Sequence, residues 1–125
     1  MKRVMLSVVA VVALVSAVVA RAQDPVTVDA KHYKVEFEND QVRVLRIHYA
    51  PGEKSVMHSH PDSVAVFLSD QTGKFTFPDG TSKEWTNKSG QAQFSPAGPH
   101  LPENVGTGPI DLVLVELKKP ATAMK

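Results

Sequence analysis

The sequence has 125 residues, with 14 basic and 13 acidic side chains and no cysteine. The lack of cysteine excludes disulfide bonds, thiolate metal ligands and thiol catalysis. The net charge of the full sequence is +1. The length is enough for one domain with its own hydrophobic core.

The N-terminal segment has the three parts of a secretory signal peptide. Lys2 and Arg3 precede the apolar, small-residue run 4–20, and residues 20–22 (Ala-Arg-Ala) form a small-x-small cleavage site. We therefore predict cleavage after Ala22 and a periplasmic or secreted protein, with no stable membrane insertion after cleavage. An uncleaved membrane anchor is the alternative, because about 17 apolar residues reach the lower limit of a spanning helix.

The expected mature chain begins at residue 23. Removing residues 1–22 takes away three basic residues and no acidic one, so 11 basic and 13 acidic residues remain and the net charge is near −2. This charge argues against a nucleic-acid partner, because such a partner needs a clustered basic surface. We divide the chain into a signal peptide (1–22), a lead-in segment (23–34), a barrel domain (35–119) and a flexible tail (120–125). The lead-in is short in apolar residues and is expected to add at most an edge strand.

The mature chain is rich in short β-branched and aromatic runs separated by turn formers. One such turn is Pro78-Asp79-Gly80, where Asp and Gly tolerate the positive φ of a tight hairpin. No segment after the leader has helical periodicity, so the sequence predicts an all-β sandwich or barrel. The predicted strands are 33–37, 42–49, 64–68, 74–77, 81–86, 91–95 and 110–117. The aromatic residues expected in the core, some of them lining a pocket, are Phe67, Phe75, Phe77, Trp85 and Phe94.

Three histidines lie in two segments that contain turn formers. His58 and His60 are two residues apart, so in a strand both imidazoles lie on the same face. His100 follows the turn 96–99. Three imidazoles would leave coordination positions open, as in catalytic or ligand-binding metal sites. We therefore predict a divalent metal site, the alternative being surface histidines without a ligand role.

These two segments resemble the two sequence motifs of the cupins. The first cupin motif reads GX5HXHX3-4EX6G, and the chain matches it up to the glutamate, where it has Val64 or Ala65. The second reads GX5PXGX2HX3N, and the chain matches it with one residue missing before the histidine. The matching residues are Gly52, His58 and His60 in the first motif and Gly90, Pro96, Gly98, His100 and Asn104 in the second.

The resemblance covers residues 35–117 and implies a double-stranded β-helix, the cupin jelly-roll barrel. Small cupins often pair through their sheet edges, so it also implies a homodimer. It implies either a metalloenzyme of the dioxygenase, isomerase or lyase type, or a non-catalytic module that binds a small ligand. A fold alone does not decide between these functions.

The missing glutamate affects the chemistry expected of the site. Three neutral ligands leave the ion more positive than a set with a carboxylate, which favours an anionic substrate or a bound hydroxide. Iron, zinc, manganese, nickel and copper all accept imidazole, so the ligand type does not choose among them.

Further residues are candidates for the pocket. Arg46 and His48 share one strand face: they form an anion clamp and a proton carrier if this face is internal, and a surface pair if it is external. Glu103 and Asp62 are candidate carboxylates near the metal, and are otherwise solvent-exposed or turn residues. His32 is expected on the surface.

Overall fold

The structure is a computed structural model that describes residues 23–119. The predicted signal peptide and the tail 120–125 lie outside the described residues. Within the described range no helix is long and apolar enough to cross a membrane. The elements are α1 (Pro25–Val28), β1 (Tyr33–Glu38), β2 (Val42–Tyr49), β3 (His58–His60), β4 (Ser63–Phe67), β5 (Gln71–Thr76), β6 (Ser82–Asn87), β7 (Ala92–Ser95), β8 (Gly98–Asn104) and β9 (Ile110–Leu117).

The strands form two antiparallel sheets. One sheet has five strands in the order β1-β2-β9-β4-β7, and the other has four in the order β3-β8-β5-β6. The all-β prediction is confirmed. The lead-in segment forms a short helix, for which Asp24 is the N-cap and Pro25 the first helical residue.

The inner face of the five-stranded sheet supplies most of the core. Leu45 lies opposite Leu114, and Ile47 opposite Leu112, across β2 and β9. All four side chains are buried, and each contributes about 1.5–3 kcal/mol by leaving water. The same face of β2 continues to Tyr49, which is fully buried beside the histidine segment.

Asn104 joins the two motif segments. Its backbone N–H donates to Glu53 O (2.9 Å), and its carbonyl accepts from Gly52 N (3.1 Å). Its side-chain amide donates to Tyr49 O at 3.1 Å and to Gly108 O at 2.9 Å. Gly52 has φ 81°, a conformation that glycine adopts without strain. The turn after β2 is thereby fixed against the end of β8.

Candidate metal centre and adjoining pocket

The structure brings the three predicted histidines together. β3 pairs with β8, so that His58 lies opposite His100 and His60 opposite Gly98. The Nε2 atoms of His58 and His60 are 3.1 Å apart. One ring nitrogen from each of the three histidines lies within 4.8 Å of the others. The clustering follows from the strand pairing, and metal binding itself stays a prediction.

Burial keeps two of these histidines neutral. It lowers the pKa of His58 to about 4 and that of His100 to about 3, and the neighbouring imidazoles add to both shifts. The Nε2 atom of His100 is buried and has no hydrogen-bond partner within residues 23–119. A buried nitrogen without a partner is costly, and a bound cation would satisfy it.

His60 is oriented by a carboxylate from β9. Its Nδ1 donates to Glu116 Oε2 at 2.7 Å, while the other oxygen of Glu116 accepts from Arg43 Nε at 2.6 Å. Arg43 also bonds both oxygens of Asp24, at 2.8 and 2.9 Å. Burial alone would raise the pKa of Glu116, but the hydrogen bonds from His60 and Arg43 outweigh it and lower the pKa. With Nδ1 occupied, Nε2 of His60 presents its lone pair to the cluster.

His58 is oriented by the backbone. Its Nδ1 donates to Val56 O at 2.8 Å and lies 3.3 Å from Ser55 Oγ. Ser55 in turn donates to Asp29. With Nδ1 used in this way, Nε2 is the ring nitrogen that His58, like His60, turns toward the cluster. The donor set therefore fits a divalent ion, because His58 and His60 are held in the tautomer that ligates through Nε2 and His100 offers an unpaired nitrogen.

A pair of tyrosines lies next to the histidines. The hydroxyls of Tyr33 and Tyr49 are 2.5 Å apart. The ring of Tyr33 is 4.9 Å from that of His58. Burial raises the pKa of both tyrosines above the ordinary value, so both are neutral at pH 7 and keep a proton to donate.

A cavity of about 500 Å³ adjoins the cluster. Phe75 stacks on His100 with ring centroids 4.4 Å apart, and Trp85 lies 5.5 Å from Phe75. A Cβ at Gly73 would lie 2.3 Å from the Trp85 ring, so glycine makes room for the indole. The other apolar lining residues include Ile47, Phe67, Leu112 and Leu114.

The structure places the candidate pocket residues Arg46, His48 and Glu103 outside the cavity, which is the surface alternative given for each of them. Leu45, Ile47 and Tyr49 take the inner face of β2, so strand alternation directs Arg46 and His48 outward. Arg46 pairs there with Asp111 at 3.1 Å, and His48 is exposed. Glu103 pairs with Lys74 at 3.3 Å and does not line the cavity in the part of the chain described.

Asp62 follows the solvent-exposed alternative given for it, whereas the expectation for His32 is wrong. Asp62 is exposed, and its carboxylate accepts a hydrogen bond from the backbone N–H of Ala97 at 2.8 Å, in the turn 96–99. His32 was expected on the surface but is 6% exposed. It bonds Asp29 at 2.8 Å and stacks on Tyr49 with ring centroids 4.2 Å apart.

Sequence reasoning missed the pair formed by Glu116 and Arg43. Glu116 has the strand parity of Leu112 and Leu114, and Arg43 has that of Leu45. A charged residue at a core-facing position of each of two predicted strands was the available signal. The carboxylate missing from the first motif thus has a counterpart on β9, which contacts His60 through the nitrogen that faces away from the cluster.

The fold and the cluster together define a class, a double-stranded β-helix with three histidines beside an apolar pocket. Among solved structures, the chain is similar to a cupin domain from Bordetella pertussis Tohama I, with 25% identity, a TM-score of 0.64, and coverage of 70% of this chain and 92% of that chain. It is also similar to a conserved protein with a double-stranded β-helix domain from Klebsiella pneumoniae (23% identity, TM-score 0.55, coverage 68% and 74%).

A third similar structure is a cupin superfamily protein from Desulfitobacterium hafniense DCB-2 (17% identity, TM-score 0.53, coverage 70% and 76%). Neither a protein-family model nor a curated protein matches the sequence. The structural neighbours confirm the fold that the two motifs imply: the chain has the double-stranded β-helix fold of the cupins.

Proposed function

We propose that this protein is an exported cupin that holds one divalent metal ion through Nε2 of His58, His60 and His100 and exposes it to a small molecule in the adjoining cavity. The observation that carries the proposal is the convergence of three histidine nitrogens within 4.8 Å. The unpartnered Nε2 of His100 adds to it.

The residues around the histidines have separate tasks. Glu116 and the carbonyl of Val56 fix the ring orientation of His60 and His58. The Tyr33–Tyr49 hydroxyl pair supplies a neutral proton donor beside the cavity. When bound, the ion would supply Lewis-acid or redox chemistry. Iron would suit an activity of the dioxygenase type, and zinc a lyase or isomerase.

A second function, non-catalytic capture of a small ligand, is favoured by the cavity itself. Its volume of about 500 Å³ and its apolar walls are present without an ion, and such cavities suit small molecules. The two functions differ in one measurable respect. A binding module is stabilised by its ligand in metal-free form, whereas a metalloenzyme turns over substrate only with the ion present.

The test is elemental analysis of the untagged mature protein, residues 23–125, purified from its native compartment. We expect about one metal ion per chain, and we expect it to be lost in the double variant His58→Ala/His100→Ala. His48→Ala is the matched control, because His48 is exposed on the outer face of the five-stranded sheet, away from the cluster. An equally metal-free wild type and double variant would refute the metal site and leave ligand capture.

Export and a homodimer belong to the same proposal. Export rests on the leader pattern of residues 1–22.

The dimer rests on the cupin resemblance, and an apolar row across the outer face of the five-stranded sheet supports it. Its two end residues are more than half exposed. In register, the row is Phe37, Val44, Val115, Val64 and Phe94. Sedimentation of the wild type and of a Phe37→Glu/Phe94→Glu variant tests it, the variant being expected as a monomer.

A further inference from the structure

The wall of the cavity continues the aromatic stack that begins at His100. Phe75 lies nearly parallel to His100, with an interplanar angle of 17°. Trp85 follows Phe75, and Phe67 follows Trp85 at 6.0 Å, with angles of 35° and 40°. Together these rings form a continuous aromatic surface in the wall of the cavity, and it begins at one of the three histidines. A flat ring packs against such a surface better than a puckered one, because stacked and edge-to-face aromatic pairs gain energy beyond their buried area.

The charges of the site are neutralised or lie away from this wall. Arg43 is held by Glu116 and Asp24, and Arg46 is on the outer face with Asp111. Among the lining residues described, Lys83 is the only lysine, and no arginine or carboxylate is present. The side chain of Lys83 is exposed. Because Lys83 is exposed and keeps its ammonium group in water, a carboxylate placed deeper along the wall would lose water without gaining a buried cation, which is unfavourable.

The polar groups of the lining lie in two places. Tyr33, Tyr49 and His60 lie at the histidine end. Asn87 on β6 and both Gln93 and Ser95 on β7 are also lining residues, and β6 and β7 are terminal strands of the two sheets. A ligand that satisfies this arrangement has an oxygen at the histidine end and an apolar ring against the aromatic wall.

We infer that the pocket takes an uncharged aromatic molecule, with a hydroxyl or carbonyl oxygen directed at the three histidines. Three neutral histidine ligands would by themselves favour an anionic molecule. Arg46 lies outside the cavity, however, and the wall is apolar, and these two features favour a neutral ring. The direction of the oxygen rests on the proposed metal site, whereas the preference for a flat, neutral ring rests on the wall alone.

The test uses three matched probes: phenol, cyclohexanol and benzoate. Phenol and cyclohexanol share six carbons and one hydroxyl and differ in flatness, whereas benzoate keeps the ring and adds a charge. Trp85 is the one tryptophan of the chain, so its fluorescence excited at 295 nm reports occupation of the pocket, with calorimetry as the second readout. Each titration is done on metal-free and on zinc-loaded mature protein.

On metal-free protein we expect phenol to bind about 3- to 10-fold more tightly than cyclohexanol, the range that aromatic pairing supplies. We expect benzoate to bind about tenfold more weakly than phenol or worse. Zinc should raise the affinity for phenol and leave that for cyclohexanol less changed. Equal binding of phenol and cyclohexanol, tightest binding of benzoate, or no binding of any probe on metal-free protein would each overturn the inference.

Two variants separate the wall from the metal site. Trp85→Leu should abolish the preference for phenol over cyclohexanol, and Trp85→Phe should restore most of it, while both keep the zinc stoichiometry of the wild type. If Trp85→Leu does not fold, Phe67→Leu shortens the same wall at its far end. A wild type that does not bind zinc would refute the metal site but leave the metal-free comparison intact, so the two failures are distinguishable.

Discussion

His60 and His100 have ring centroids 5.3 Å apart, yet they are held by opposite means. His60 is fixed by an ionic chain through Glu116, Arg43 and Asp24. His100 is fixed by stacking on Phe75, and it has no polar partner for Nε2 in the described residues. Glu116 sets the tautomer of His60, whereas Phe75 helps to keep Nε2 of His100 away from water next to the cavity. The site thus has a polar half, in which hydrogen bonds fix His60, and an apolar half, in which His100 and Phe75 also form part of the cavity wall.

The largest effect is expected from removing the carboxylate of the polar half. Glu116→Leu removes the buried acceptor of both Arg43 Nε and His60 Nδ1 and leaves Arg43 paired only with the partly exposed Asp24. Breaking a buried pair in this way costs about 3–5 kcal/mol, which thermal or urea unfolding of the metal-free protein measures. Glu38→Leu is the control, because its pair with Lys118 is partly exposed and is worth less than about 1 kcal/mol. Equal losses in the two variants would contradict the ionic chain.

The apolar half is tested at Gly73. Gly73→Ala places a methyl group 2.3 Å from the Trp85 ring, so the indole must move. We expect a loss of about 1–3 kcal/mol and a shift of the tryptophan emission maximum. In the control Gly108→Ala, the new Cβ meets no atom within 4 Å. An unchanged emission spectrum in Gly73→Ala would show that the indole is not confined as described.

Metal affinity distinguishes the two halves directly. Glu116→Gln keeps the shape of the side chain but replaces the acceptor of the His60 proton with an amide. We expect about 10- to 100-fold weaker zinc binding, the usual effect of losing a hydrogen-bond partner of a metal-bound histidine. Phe75→Leu should change zinc affinity less than Glu116→Gln does, since its contact with His100 is apolar. A larger effect of Phe75→Leu, measured by competition with a chelator, would reverse the roles of the two halves.

The smallest effect is expected at the outer end of the ionic chain. Hydrogen bonds from Arg43 lower the pKa of Asp24 below its ordinary value of 3.8. A lowered folded-state pKa means that the stabilisation is complete above the unfolded-state value and is lost as the pH falls through the folded-state value. Asp24→Asn should therefore be less stable than wild type at pH 7, and the difference should shrink as the pH falls below 3.8. A difference that does not depend on pH, in urea titrations, would exclude this ionic contribution.

The regular strands could be predicted from sequence, because local alternation fixes them. The bounds of β2 and β9 match the predicted runs, whose β-branched residues suit a half-buried sheet. The histidine cluster could be predicted because spacing places His58 and His60 on one face and the cupin resemblance adds His100. These features depend on residues close in sequence or on a recognisable motif.

The surroundings of the cluster could not be predicted, because they depend on partners distant in sequence. β2 carries an arginine on each face, and alternation places Arg43 on the core-facing side and Arg46 on the other. The partners that neutralise them, Glu116 for Arg43 and Asp111 for Arg46, lie on β9 and are shown only by the fold. His32 is buried because the chain places Asp29 and Tyr49 against it. No local pattern contains these pairings.

The joining of the two motif segments by Asn104 has a consequence for the lifetime of the protein. His58 and His100 meet only when the segment after β2 closes on the end of β8, so an unfolded chain has no complete site. An ion at the proposed site would therefore bind only the folded chain, and at 100 times its dissociation constant would add about 2.7 kcal/mol to the free energy of unfolding. The metal supply of the compartment would then govern how long each molecule resists proteolysis.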